Sequence, residues 1–184
     1  MKFARLLARL FIGAMFIGHG TQKWFGWFGG PGLEETTGTM EALGLAPARA
    51  NAQVASAAET FGGLGIALGA FTPAAAAALI GSMTTAIRTV HFKNGFWNTA
   101  GGYEFNLTII AALLLLVDGG PGKYSVDAAL GIEETGAGVA LAALAAGVAG
   151  SAVSLAAAKS AHQKANPGAP AEPMSPDAAA GEAG

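Results

Sequence analysis

Residues 50–90 read ANAQVASAAETFGGLGIALGAF, then TP, then AAAAALIGSMTTAIRTV. Two apolar stretches, Ala50–Phe71 and Ala74–Val90, are joined only through Phe71-Thr72-Pro73. Runs such as Ala74-Ala75-Ala76-Ala77-Ala78-Leu79-Ile80 lack the alternation of a barrel strand. Alanine and leucine are strong helix formers. So short a connection makes the pair a tight antiparallel helical hairpin. Gly65 and Gly69 form a GxxxG face that Gly62-Gly63 widens, and glycine there lets helix backbones approach closely. The motif by itself names no partner helix.

Two further apolar stretches flank the hairpin: Leu6 to about Trp24, and Tyr103–Val117 with its run Leu113-Leu114-Leu115-Leu116. Apolar residues make up 52% of the chain and charged residues 12%, against about 25% charged in a typical soluble domain. A helix crosses a bilayer with roughly 17–25 mostly apolar residues. The composition therefore predicts an all-α membrane protein: an antiparallel four-helix transmembrane bundle, multi-pass in the cell membrane, with the lipid bilayer as its first partner. Tyr103–Val117 is short for a span, so its outer end is expected to be sheltered by protein. The chain has no cysteine, which excludes disulfide, thiolate and thiolate-metal chemistry of its own. With a net charge of −2 and no basic, aromatic patch, no nucleic-acid partner is expected. Lys2, Arg5 and Arg9 precede an apolar run as in a secretory signal, but the small-x-small cleavage pattern is missing and His19, Lys23 and Trp24 stand there instead. A retained first span is the better reading.

Lysine and arginine bias sets orientation. Lys2, Arg5, Arg9 and Lys123 fall on one side, Arg49 and Lys93 on the other, so the amino terminus is expected in the cytoplasm. Phe25–Arg49 is then an outer loop that turns at Gly29-Gly30-Pro31-Gly32. Leu33, Thr37, Met40 and Leu43 recur at helical spacing, which predicts a short interfacial helix capped by Gly44. Pro47 suits the first turn of the second span. Trp24, Trp27 and Phe28, mirrored by Phe96 and Trp97, form an aromatic belt at the interface. Ala137–Ala158 is a fifth apolar segment, long enough to span although alanine contributes little to insertion. The chain thus divides into a four-helix domain over 1–130, an additional apolar helix over 131–160 that is membrane-associated or spanning, and a proline-, alanine- and glycine-rich disordered tail over 161–184. A homo-oligomer is left open.

Each of the four principal stretches carries ionisable groups toward one end. His19 and Lys23 close the first, Glu59 lies in the first half of the second, Arg88 and His91 close the third, and Glu104 opens the fourth. Consecutive spans run in opposite directions, so all six fall in the same, outer half of the membrane. Such groups are costly in hydrocarbon and normally face a bundle interior and pair. His19 and Lys23 at i and i+4, and Arg88 and His91 at i and i+3, each share a helix face. Lys23 and Arg88 balance Glu59 and Glu104, and an unpaired buried charge would neutralise instead.

The plainer reading is a salt-bridge network that pins the helices, with Lys23 and Arg88 snorkelling to the interface. Glu59, the deepest, is hardest to explain that way. His19 beside it would carry protons, since imidazole titrates near neutral pH. Glu59 and His19 are therefore the expected catalytic groups, and Lys23, Arg88, His91 and Glu104 the ligand-binding ones. Two histidines and two carboxylates would also suit zinc, iron or manganese. Without an HExxH or ExxH pattern, no metal ligand is assigned. Gln22, Asn94, Asn98 and Asn106 stand near the outer mouth, Asn94 and Asn98 reading better as loop residues.

Arg9, Gly13, Phe16, Gly18-His19-Gly20, Lys23, Leu43-Gly44-Leu45, Glu59 with Gly62-Gly63, Gly69, Met83, His91 and Gly101-Gly102-Tyr103-Glu104 resemble, in order and spacing, the DoxX family of small integral membrane proteins. Gly119-Gly120-Pro121-Gly122-Lys123-Tyr124-Ser125-Val126-Asp127 is similar to that family's glycine-rich close. The resemblance covers about residues 5–130. It implies a four-helix membrane protein, and some relatives are associated with quinone-linked oxidation of thiosulfate or with thiol and oxidative-stress systems. The expectation is a redox-associated subunit, without an evident electron carrier of its own, of a quinone-linked oxidoreductase: its outer pocket would take a quinone or a small sulfur species, and other redox subunits would be its partners. The rivals are a non-enzymatic membrane anchor or assembly factor and a small proton-coupled transporter, the latter lowered by the lack of an inverted repeat.

Overall fold

The computed structural model describes residues 2–167, and among them every regular element is helical. The α-helices are α1 (Lys2–Phe25), α2 (Gly32–Ala42), α3 (Ala48–Leu68), α4 (Thr72–Ala86), α5 (Glu104–Gly119), α6 (Val126–Leu130) and α7 (Ala137–Ala165). A π turn, Ile87–His91, continues α4, and a 3-10 turn, Phe92–Asn94, follows it. Phe3–Phe25 and Ala137–Ala165 are each long and apolar enough to cross a membrane. The 29 residues of α7 give about 43 Å at 1.5 Å per residue, more than the ~30 Å hydrocarbon core.

Glycine sets how the helices meet. A Cβ on Gly63 of α3 would lie 2.8 Å from the Gly13 carbonyl oxygen of α1, and one on Gly62 would lie 2.8 Å from Leu79 of α4. The glycine-rich face of α3 is thus divided between two neighbours. Further along, Gly20 of α1 meets Ser56 and Thr60 of α3, so these two helices cross in opposite senses. Gly69, at φ 62 and ψ 47, ends α3 in the left-handed conformation and turns the chain into α4. Ile12, Phe16, Ile66, Leu79, Ile80, Leu113 and Val117 fill the main core, and Ala140 of α7 joins them.

The expected interfacial helix is α2, and Gly44 follows it at φ 66. Leu45, Leu155 and Ala158 form a second small core at this end, with Met40 and Leu43 packed on it. The amide of Gly136 donates to the Asp118 carbonyl at one end of α7, and the Ala158 carbonyl accepts from Ala46 at the other. The fifth apolar segment therefore runs the full distance from the end of α5 to the α2–α3 junction, beside α4. It also passes the expected limit at 160, because helix-forming residues continue to Ala165 before Asn166 and Pro167 stop it. The remainder of the expected tail, 168–184, lies outside the described residues.

At the end opposite α2, Arg9 and Asp127 are each 1% exposed. Arg9 donates through Nε to Ile66 O (3.1 Å), through Nη2 to Ala67 O and Tyr124 O (both 2.9 Å), and through Nη1 to Pro121 O (2.6 Å). Ile66 and Ala67 lie in the last turn of α3, whose carbonyls have no partner within the helix. Asp127 accepts from Phe71 N (2.6 Å), Thr72 N (2.9 Å) and Thr72 Oγ1 (2.7 Å) at the start of α4. These bonds hold Phe71 at φ 47, a conformation uncommon outside glycine. Arg9 is therefore an internal clamp, not the surface charge that the orientation count treated it as.

Candidate functional site

Glu59 sits midway along α3 and is 2% exposed. Its Oε1 lies 2.5 Å from Lys23 Nζ of α1 and accepts from Ser82 Oγ of α4 at 2.8 Å. One carboxylate oxygen thus ties three helices together. Its other oxygen, Oε2, is buried and has no hydrogen-bond partner among the described residues. An unsatisfied buried acceptor costs about 1–3 kcal/mol, which sets Glu59 apart from Asp127, whose two oxygens both accept hydrogen bonds.

Glu59 lines a cavity of about 500 Å³ walled by α2, α3, α4 with its π turn, and α7. That volume lies within the roughly 300–1,000 Å³ range of small-molecule sites. Just over half of its lining residues are alanine, glycine, valine or leucine, and seven serines and threonines, Ser82, Thr85 and Ser151 among them, add hydroxyls beside the Asn51 amide. Thr85 Oγ1 and Ser151 Oγ are 2.8 Å apart and hydrogen-bonded, joining α4 to α7. Small side chains along α4 and α7 leave the space, and Gly147, against Ile80 and the Ala77 carbonyl, sets how closely the two helices pack.

Of the six residues expected at one site, the fold brings Lys23 and Glu59 together and disperses the others. His19 is exposed and does not line the cavity. Gly20 is the residue pressed against α3, and at 3.6 residues per turn its neighbour is rotated about 100° away. Arg88 is exposed and in no ion pair among the described residues. Glu104, expected to share in the charge pairing, faces its own loop instead: Oε2 accepts from Asn98 N at 3.0 Å. His91 Nδ1 donates to Gly101 O at 2.7 Å, and Asn94 Nδ2 donates to the same carbonyl at 3.2 Å. Phe92 stacks on Tyr103 at 6.0 Å. His91 and Glu104 thus brace the 92–103 connection, and Asn94 and Asn98 are loop residues. No three His, Asp or Glu side chains come together among the described residues.

The sequence reading missed Ser82, the Thr85–Ser151 pair and the two walls from α2 and α7. A signal was present for some of them: Ser82, Thr85 and Thr89 recur at i, i+3 and i+7, on one face of an alanine-rich helix. The π turn left no such mark. Residues 4–92 match the family model described as DoxX. No curated protein and no solved structure matches the chain.

Proposed function

The chain belongs to the DoxX family, and from that premise we propose that it is a ligand-binding membrane subunit of a quinone-linked redox system. In this reading α1, α3, α4 and α5 are the four antiparallel spans, α7 is a fifth, and the amino terminus is cytoplasmic. The cavity then lies in the outer half, beside α2, and takes a small, largely apolar molecule with a polar head, of the quinone type. One observation carries the reading: Glu59, whose Oε2 is buried without a hydrogen-bond partner among the described residues, is a lining residue of a largely apolar cavity of about 500 Å³.

The roles follow from the contacts. Glu59 receives the ligand's hydrogen bond through Oε2 and is the proton acceptor nearest to it. Lys23 and Ser82 hold Oε1, fixing the carboxylate against rotation and leaving Oε2 as the free atom. Lys23, one third exposed on its side chain, gives the carboxylate a counter-charge that still reaches solvent. With no cysteine in the chain, electrons would travel through the ligand and a partner subunit. His19, exposed on α1, has no part in this step.

The Lys23–Glu59 pair joins α1 to α3, which is what a purely structural anchor would also need. Extraction of small molecules from protein purified in mild detergent separates the two readings. The expected result is an apolar ligand bound by the wild type and lost from Glu59→Gln, with both proteins equally folded by circular dichroism. A wild type that carries no ligand and takes up no added quinone would overturn the pocket reading in favour of the anchor.

A further inference from the structure

The cavity is open along one flank. Val54 of α3, Ala78 of α4, Val90 of the π turn, and Gly150 and Ser154 of α7 all line it and are all exposed. Helices α3 and α7 both pack against α4 and scarcely touch each other. The cavity is therefore a groove, with α4 as its floor and α3 and α7 as its sides. Lining residues on the floor run from Ala77 to Val90, about 20 Å at 1.5 Å per residue. That is deeper than the hydrocarbon of one leaflet, about 15 Å as half of the ~30 Å core. Spread over this length, about 500 Å³ leaves a channel about 6 Å wide, against about 10–12 Å for a helix with its side chains. The deep end is built from Ala77, Ala78, Ala146 and Gly147, whereas Thr36, Thr39 and Asn51 stand at the end beside α2. Between them, the Thr85 and Ser151 hydroxyls bond each other and Thr89 bonds the Thr85 carbonyl.

We infer that the groove holds one acyl chain of an outer-leaflet phospholipid, its methyl end against Ala77 and Gly147 and its ester region beside Thr36, Thr39 and Asn51. Left empty, the groove would deprive three walls of partner atoms, and a helix is too wide to supply them. One polymethylene chain has the girth and the length, and it enters sideways through the open flank without leaving the bilayer. Shape holds it there, since lipid tails are as apolar as the walls. The charges favour an esterified chain over a free fatty acid. Lys23 is the cation among the lining residues and is already paired with Glu59, and Arg49 near the α2 end is paired with Glu34. No cation there awaits a carboxylate among the described residues, whereas an ester brings no charge. The inference rests on the membrane orientation proposed above, asks nothing of Glu59, and goes beyond a pocket for a redox ligand.

Non-denaturing mass spectrometry of the full-length protein, loaded in mild detergent with palmitoyl-oleoyl phosphatidylcholine, tests it. The wild type is expected to keep one phospholipid at a collision energy that strips the rest. A Cβ on Gly150 or on Gly18 would meet nothing within 4 Å, but Gly150 lines the groove and Gly18, on α1, does not. Because the chain has no cysteine, Gly150→Cys and Gly18→Cys can each be folded first and then capped with N-phenylmaleimide. The cap at Gly150→Cys fills the groove and should lower the retained phospholipid about tenfold, while the cap at Gly18→Cys should leave it at the wild-type level. Added palmitate should not displace the phospholipid. A wild type that keeps no phospholipid overturns the inference, as do equal retention in the two capped variants and displacement by palmitate. A wild type that takes up no quinone yet keeps its phospholipid supports the inference while the redox reading falls, so the two failures are distinct.

Discussion

Arg9, Glu59 and Asp127 are charged side chains that the fold encloses almost completely, and it treats them differently. Arg9 meets four carbonyls and Asp127 three donors, whereas Glu59 keeps an oxygen in reserve. The first two are clamps and the third belongs to the site proposed above. Lysine cannot reproduce the planar fork of Arg9 and has three donors in place of five. Arg9→Lys should therefore lose on the order of 3 kcal/mol of stability, read as a lowered Tm in detergent, while the cavity around Glu59 is left intact. At this scale the sequence was informative where a charge stands inside an apolar run. Lys23 and Glu59 were found on that ground. The Arg9 clamp was illegible because its partners are backbone carbonyls, which every residue owns, and which of them lie near Arg9 depends on the fold.

Helix contacts divide the glycines into those that are pressed and those that are free. Gly63 abuts the Gly13 carbonyl, while a Cβ on Gly18 would meet nothing within 4 Å. Gly63→Ala should cost about 1–3 kcal/mol through forced separation of α1 and α3. Gly18→Ala, in the same family of changes, should leave stability equal or raised, because alanine is the better helix former by about 1 kcal/mol. Thermal melts of the two variants side by side check the contrast. The GxxxG run announced a close approach but not its partner, and the structure gives Gly63 to α1 and Gly62 to α4. Helix extents were readable from apolar length and turn residues, as α2 ending ahead of Gly44 shows. The π turn at Ile87–His91 was not, since its residues are compatible with an ordinary helix and only packing selects the wider turn.

For the molecule as a whole, the proposed five spans place the two ends of the described chain on opposite faces of the membrane. Because the chain has no cysteine, single introduced cysteines report sidedness without background. In intact cells an impermeant maleimide should label Lys93→Cys and Lys164→Cys, and reach Lys123→Cys only after the membrane is opened. Labelling of Lys123→Cys from outside would reverse the orientation. All-helical architecture was legible from composition and the absence of strand alternation. That α7 belongs to the wall of the cavity was not, because an alanine-rich helix shows no face that distinguishes a peripheral helix from a packed one.

The Arg9 clamp also bears on how the chain is made. Its acceptors lie 57 and 58 residues ahead at Ile66 and Ala67, and 112 and 115 ahead at Pro121 and Tyr124. When α1 leaves the ribosome, none of those carbonyls has been synthesised. The first helix therefore meets the bilayer with an uncompensated guanidinium, a burden of about 2.5–3.5 kcal/mol toward the centre of an inserting helix. It gains full satisfaction only once the chain has been extended past Tyr124. Insertion of this protein is in that sense retroactive: the last-made loop of the clamp completes the seating of the first-made helix.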